Sequence, residues 1–458
     1  MMPTASERFV RWAWALDLGD LPSQVRHAAC RHTLDGLGTA LAASRLGTAP
    51  YAKTVADQMG GPQEASIVDG GRVAAPVAAL ANGILLHALD YDDTHAESLV
   101  HPTAAVVPAA IAAAEHAGAS GAEYLTACVA GYELVTRLGA AVRHGFHAHG
   151  FHATSVCGVF SSVLVGARLW NLPADTAVAA LGIAGSFASG SLQFLQDGSA
   201  TKQLHPGWAA HAGLMAARLA AAGASGPARI FEGANGFFHA YAGQNVDPEV
   251  VVADLGHRWE TTRIALKPYP ACQLSHASLD AVRLVRDRIG SLDAIEEITF
   301  EMPNESVPIV CEPIEMKLRP RTAYDAKFSL QWCAATLLID GRLDVESFAE
   351  DRLARPEVLR LAARVRHRAY VSGVVAASAP GRVSVRQRGQ PDERAEVPAS
   401  TGTPESPLSD EQLREKFVEN VGDATRAREI AEMVFGLEDV DDIGRVATLL
   451  RSRRPVVA

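Results

Sequence analysis

The apolar runs in the first 265 residues are alanine-dense and long enough for helices: TALAAS, AAIAAAEHA and AAHAGLMAARLAAAGA recur between Gly and Pro punctuation. Alanine has the best intrinsic helix propensity, and its small side chain lets helices approach closely. This part of the chain is therefore held to a helical architecture. Helices are expected at 22–44, 72–90, 103–117, 121–141, 155–171, 174–188 and 206–223. Leu21-Pro22-Ser23, Ser120-Gly121-Ala122 and Leu172-Pro173-Ala174 act as start signals. The N-terminal stretch reads as an amphipathic helix capped near Ser6, not as a secretion signal, because charges interrupt its only apolar run. No strict repeat or sustained heptad occurs, which argues against a solenoid or coiled coil.

The pattern changes near KPYPAC (267–272). After a helix at 275–290 comes a strand-like segment at 294–303. Further alternating segments follow at 368–375, 381–388 and 393–397, with helices at 322–339 and 355–365 between them. A polar, Pro-rich connector (398–409) leads into helices over 409–458, opened by Ser409 as N-cap. The expected fold class is mainly α. A large all-helical domain is built from residues 1–266 and 399–458, and residues 267–398 form a smaller inserted α+β domain able to close over a cleft as a lid. A chain of 458 residues exceeds what one core normally serves, which also points to two domains.

Composition narrows the partners. The net charge is −10, from 42 Lys+Arg against 52 Asp+Glu, with no basic stripe, so nucleic acid is not an expected partner. Six scattered cysteines without a CxxC read as reduced thiols of a cytoplasmic protein, not as a disulfide framework or zinc ribbon. No uninterrupted apolar run reaches about eighteen residues, so no membrane span is expected.

Against this apolar background, HALDYDDTHAESLVHP (87–102) gathers His87, Asp90, Asp92, Asp93, Thr94, His95 and His101 directly after a helical apolar segment. Polar groups are costly to bury, so a dense cluster beside a core marks a candidate site. If the helix runs on to Thr94, i, i+3, i+4, i+7 spacing places His87, Asp90, Tyr91 and Thr94 on one face. A helix end with solvated acids would use the same residues.

Three other segments carry chemistry. HGFHAHGFHATSVCG (144–158) sets His144, His147, His149 and His152 among glycines, as in a loop that presents a side chain into a cleft. HxH followed by a later His is a zinc-like spacing, but no HExxH or two-His-plus-carboxylate pattern accompanies it, and no metal is expected. QDGSATKQLHPG (196–207) is a turn followed by Lys202 and His205. It lacks the phosphate-loop pattern, and lysine is scarce here relative to arginine. In LKPYPACQLSHASLDA (266–281), His276 and Asp280 are i, i+4, so the carboxylate could orient the imidazole. Lys267 and Tyr269 sit on the approach, and Cys272, with no catalytic pattern beside it, reads as a small buried hydrophobe. Cationic Lys and His suit a di- or tricarboxylate. An imidazole near neutrality can take a proton beside a carboxylate or protonate a leaving hydroxyl. That combination fits lyases and isomerases of organic acids working without a cofactor.

With these residues in view, the chain resembles the MmgE/PrpD family, which includes 2-methylcitrate dehydratases, cis-aconitate decarboxylases and iminodisuccinate epimerases. The resemblance runs through LDYDDTH…HPTAAVVPA, GYELVTRLG, GFHATSVCGVF, DGSATKQLHPGWAAHAG, the YPAC…H…DA segment and SPLSDEQLREKFVEN. It implies a helical domain from both ends of the chain, a smaller α+β lid, a homodimer and a cofactor-independent site between the domains. It also implies site residues at Asp90, Thr94, His101, His152, Lys202 and His276, with Asp92 and Asp93 shaping the turn that presents them. One departure is Trp332, in KFSLQWCAA, where many relatives have tyrosine. An indole donates a hydrogen bond but does not act as a proton-transfer acid, which counts against the decarboxylase branch. The expected activity is dehydration of a hydroxy di- or tricarboxylate of the methylcitrate type. Asp90, Thr94, His101, His152 and His276 would be catalytic, and Lys202, Lys267, Tyr269 and Trp332 would bind substrate. Epimerisation of a dicarboxylate, decarboxylation of the cis-aconitate type and an inactive carboxylate-binding relative are the alternatives.

Overall fold

Close helix packing is what the alanine runs deliver. The computed structural model describes residues 2–451, and its contacts divide the chain into two units. The first comprises the residues through Ala88, Asp92–Ile264 and the chain from Ser409 on. At its centre the helix Ala153–Leu169 packs against Pro102–Ala117, Gly121–Val142 and Leu204–Ala221. Ala75–His87, buried along almost its whole length, lies against Pro102–Ala117 and Leu204–Ala221. Backbones meet where side chains vanish: a Cβ on Gly83 would lie 2.6 Å from the Gly207 Cα. That crossing holds the end of Ala75–His87 beside the first turn of Leu204–Ala221. Gly121–Val142 is long and apolar enough to cross a membrane, yet 89% of its apolar window is buried within the structure, as in a core helix. Beyond the second unit in the sequence, the helix Asp410–Val421 packs on Ser23–Arg45, with a buried ion pair of Lys416 Nζ and Asp35 Oδ1 at 2.6 Å.

This unit holds a two-strand ribbon, β1 (Ala65–Ser66) and β2 (Arg72–Val73). The second unit, Leu89–Tyr91 with Ala265–Leu408, carries a four-stranded sheet: β3 (Ile295–Pro303), β4 (Val365–Tyr370), β5 (Gly381–Gln387) and β6 (Glu393–Val397). The order is β4-β3-β5-β6, with β3 and β4 parallel and the other pairs antiparallel. Alternation along β5 turns Val383 and Val385 inward and Arg386 outward. The helix His276–Arg286 covers β5 and β6, and Leu330–Asp340 packs on that helix, closing a core of Ile298, Phe300, Leu279, Val385 and Trp332. The described residues are thus mainly helical, with a small mixed sheet in the second unit.

Several local expectations are corrected. The first helix is Ala5–Ala15, capped by Thr4 and not Ser6, because Thr4 and Glu7 bond reciprocally across the first turn. The helix expected over 322–339 is two, Ala323–Lys327 and Leu330–Asp340; Ser329 accepts the Trp332 amide and restarts the chain. The strand expected at 368–375 is Val365–Tyr370. The helix expected over 72–90 ends at His87.

Candidate active site

Beyond His87 the chain leaves the helix. Asp90 has φ of 52°, in the left-handed region that aspartate tolerates better than most residues. The single face expected for His87, Asp90, Tyr91 and Thr94 therefore does not form. Asp90 and Tyr91 belong to the second unit, His87 and Thr94 to the first.

In place of a face, the first unit gathers imidazoles from separate elements. His87 closes one helix, His101 is the N-cap of Pro102–Ala117, His152 is the N-cap of Ala153–Leu169, and His205 lies in the first turn of Leu204–Ala221. Ring centroids are 4.7 Å apart for His87 and His101, 5.7 Å for His87 and His152, and 5.3 Å for His152 and His205. Two long helices thus start at the cluster, and their N-terminal amides favour an anion there.

Each ring is held by one nitrogen. His87 Nδ1 lies 2.7 Å from Asp92 Oδ2. His101 Nδ1 donates to the Asp93 carbonyl at 2.9 Å and lies 3.4 Å from Asp92 Oδ2. A carbonyl only accepts, so His101 carries its proton on Nδ1 and presents a basic Nε2. The Asp92 carboxylate imposes the same tautomer on His87, whose buried Nε2 meets no hydrogen-bond partner among the described residues. His152 Nδ1 faces His205 Nδ1 at 3.2 Å, and the His152 amide donates to the Gly190 carbonyl at 2.8 Å. Gly190 has φ of 115°, and a Cβ there would sit 2.6 Å from Ser155 Cβ and 3.3 Å from His205 Nδ1, so only glycine fits beside the paired rings. Asp93 accepts from the Thr103 amide at 3.1 Å and from the Thr103 hydroxyl, fastening the segment to the next helix. Asp92 therefore belongs to the cluster itself and does more than shape a turn.

Burial first, then the Lys202 ammonium and the neighbouring imidazoles, hold His152 well below the ordinary histidine value. Burial, then His87 and Lys202, bring His205 to about 4. Burial, then His144 and Lys202, bring His147 to about 4. At neutral pH these three rings are uncharged and can accept protons.

The second unit gathers lysines. Lys267 is buried, its Nζ donating to the Asp90 carbonyl at 2.7 Å and lying 3.3 Å from Asp90 Oδ2. A second buried lysine, Lys327, donates to the Pro270 carbonyl at 3.0 Å and sits 4.2 Å from the centre of the Phe348 ring. No carboxylate lies within ion-pair distance of Lys327 among the described residues. Burial dominates and brings it to about 7, with Asp90 acting to raise it and Lys267 to lower it. The Tyr269 hydroxyl donates to Asp280 Oδ1 at 2.7 Å, and Asp280 Oδ2 accepts the Thr401 amide at 2.7 Å. Burial and then Asp280 push the Tyr269 phenol well above its ordinary value. His276 Nε2 donates to the Ala271 carbonyl at 2.9 Å. The expected orienting role of Asp280 on His276 is thus replaced: both Asp280 oxygens serve Tyr269 and Thr401, and a main-chain carbonyl holds the imidazole.

Residues 7–249 match the MmgE/PrpD N-terminal domain and residues 269–439 the MmgE/PrpD C-terminal domain. The chain belongs to the MmgE/PrpD family. It is similar to the cis-aconitate decarboxylase of Aspergillus terreus, at 29% identity over 468 residues spanning 96% of this chain and 94% of that protein. It is also similar to the human cis-aconitate decarboxylase, at 29% over 483 residues, 99% of this chain and 96% of that one. The mouse cis-aconitate decarboxylase is 29% identical over 387 residues, 80% and 76% of the two chains. These relatives are lyases.

Within this MmgE/PrpD member, His101, His152 and the buried Lys202 fall together in the first unit, and Asp90, Lys267, Tyr269 and His276 lie in the second. Thr94 is half-buried, and its hydroxyl makes no hydrogen bond among the described residues. Trp332 is corrected as a substrate-binding residue. It is fully buried in the core of the second unit, packs on Phe348, and its indole N–H donates to the Leu353 carbonyl at 3.2 Å. Cys272 is half-buried against the same core. His87, Asp92, His205 and Lys327 were not selected from the sequence. Lysine scarcity held the signal for the last: the chain has six lysines, and Lys202, Lys267, Lys327 and Lys416 are all buried.

Proposed function

We propose that this MmgE/PrpD protein is an acid–base lyase of di- or tricarboxylates and that its reaction is a decarboxylation of the cis-aconitate type. The observation that carries this reading is the set of buried imidazoles at two helix N-termini beside Lys202, with the basic nitrogens of His87 and His101 fixed by Asp92 and Asp93. Substrate carboxylates would be met by the helix amides and by Lys202. A polyanion entering a nest of neutral imidazoles draws a proton from water onto one ring. As the bond to the departing carboxylate breaks and releases CO2, its electron pair shifts through the adjacent double bond. The imidazolium of His101 or His152 then gives its proton to the carbon. Lys267, beside Asp90 in the second unit, is assigned to carboxylate recognition, since an ammonium meets a carboxylate by a charge-assisted hydrogen bond.

The similarity to decarboxylases along nearly the whole chain supports this branch over dehydration. The objection drawn from Trp332 loses its force, because that side chain belongs to a core and its donor is engaged. The test is incubation with cis-aconitate and with 2-methylcitrate in deuterated water, followed by NMR. Release of CO2 from cis-aconitate with solvent deuterium fixed in the product is expected. Loss of water from 2-methylcitrate without CO2 would replace this reading with a dehydratase. Deuterium at Cα of recovered, inverted dicarboxylate would replace it with an epimerase, and binding without turnover would mark an inactive relative.

A further inference from the structure

The zinc-like spacing of His147, His149 and His152 does not gather as a ligand set: His149 turns its Nδ1 to the Gly145 carbonyl at 3.1 Å. A different trio converges. One ring nitrogen each of His87, His101 and His152 lies within 4.8 Å of the other two, and all three side chains are buried. Tetrahedral zinc with imidazole nitrogens at about 2.0–2.1 Å needs nitrogens about 3.4 Å apart, so closure of roughly an ångström completes the set. The surroundings are those of a metal site. Asp92 Oδ2 lies 2.7 Å from His87 Nδ1 and 3.4 Å from His101 Nδ1, a carboxylate–histidine arrangement that fixes ring orientation and raises ligand basicity. The Asp93 carbonyl fixes the His101 tautomer with Nε2 as the donor atom, and His205 braces His152. The His87 Nε2, buried and without a hydrogen-bond partner among the described residues, points to a ligand. Borderline-soft divalent ions prefer imidazole. Lys202, which faces His147, His152 and His205, works against a cation here, while the Asp92 carboxylate works for it.

We propose that His87, His101 and His152 form a three-imidazole site for a divalent transition metal such as Zn2+, with a fourth position left open. Occupancy ties up the nitrogens that the acid–base reading assigns to proton transfer, so bound metal blocks that chemistry reversibly. The geometry of the three rings carries the site by itself, and its test reads metal and not turnover, so failure of the lyase reading leaves it standing.

The experiment uses the full-length protein treated with a chelator, dialysed and titrated with Co2+ and Zn2+. One Co2+ per chain is expected, with visible absorption typical of a low-symmetry nitrogen site. X-ray absorption of the zinc form is expected to count three imidazoles with one lighter oxygen ligand. Asp92→Asn should weaken binding by about 10–100-fold, the usual cost of losing an outer-shell carboxylate. His87→Gln should abolish it in a protein with unchanged circular dichroism. If His87→Gln does not fold, the imidazole count in the wild-type zinc form decides alone. No stoichiometric binding, or fewer than three imidazoles around zinc, overturns the site, as does undiminished binding in a folded His87→Gln.

Discussion

The two polar clusters solve the same problem in opposite ways. In the first unit, burial strips imidazoles of charge: His147 and His205 sit at about 4 and His152 well below its ordinary value, so neutral bases line a region where two helices begin. In the second unit, Lys267 stays paired with Asp90 while Lys327 is held by a carbonyl and an aromatic face. One cluster lines up neutral imidazoles; the other pairs one lysine with a carboxylate and brings the second, unpaired with any carboxylate among the described residues, to about 7. The difference follows from residue type, because an imidazole becomes neutral at little cost near pH 7, whereas a buried ammonium near a carboxylate is stabilised as an ion.

If the comparison holds, the clusters fail differently when broken. The largest effect is expected from His152→Ala, which should lower kcat by about 10²–10⁴-fold, the usual contribution of a general acid or base. Steady-state kinetics on the substrate found by NMR checks it, and a kcat within about threefold of wild type would remove His152 from proton transfer. Asp90→Asn should show mainly in stability. It leaves the buried Lys267 ammonium without its carboxylate, at a cost of about 3–5 kcal/mol. Urea unfolding at pH 7 reads this directly, and a loss below about 1 kcal/mol would show that Asp90 is not the countercharge of Lys267.

What was legible in the sequence divides along the same line. Helices announced by alanine runs and Pro punctuation lie close to their expected ranges: Gly121–Val142 against 121–141, and Ser23–Arg45 against 22–44. Ser409 is the cap it was expected to be, and Gly381–Gln387 and Glu393–Val397 follow their alternation. Spacing failed where the chain turns. Nothing in HALDYDDTH marks the left-handed Asp90, and that one residue dissolves the expected helical face. Partners on distant elements were equally hidden. His87 and His205 stand 118 positions apart, and the crossing at Gly83 and Gly207 that places their helices is a property of two segments together. Lys327 was passed over because a lysine beside FS looks like any surface lysine until its burial is known.

Smaller effects sharpen the contrast. Gly190→Ala should cost about 1–3 kcal/mol, because alanine at φ of 115° is strained and its Cβ meets Ser155. It should also slow turnover by shifting the His152–His205 pair; unchanged stability and rate would show that this backbone does not position the rings. Lys327 gives a signature in pH. Its folded value, about 7, lies below the unfolded value of about 10.4, so between these limits the unfolded chain binds more protons. Stability should therefore rise with pH across that window, and below about 7, where both states are protonated, the destabilisation is full and constant and adds no slope. Lys327→Met should flatten this part of the curve in urea titrations at stepped pH, and an unaltered slope would assign it to other groups.

The smallest catalytic effect is expected at Trp332, and it separates core from site most cleanly. The indole fills the core of the second unit with its N–H on the Leu353 carbonyl. Trp332→Phe removes that donor and part of the buried ring, so it should cost about 1–3 kcal/mol of stability. Because the side chain is buried in the core of the second unit, on the Phe348 ring, with its own donor engaged, kcat and KM should remain within about twofold of wild type at a temperature where the variant is folded. Trp332→Tyr brings in the residue common in relatives, and the same core position predicts no gain in rate. A marked gain in kcat with tyrosine, or a marked loss with phenylalanine in a folded protein, would return this position to the chemistry. It would also restore the sequence argument against decarboxylation that its burial now sets aside.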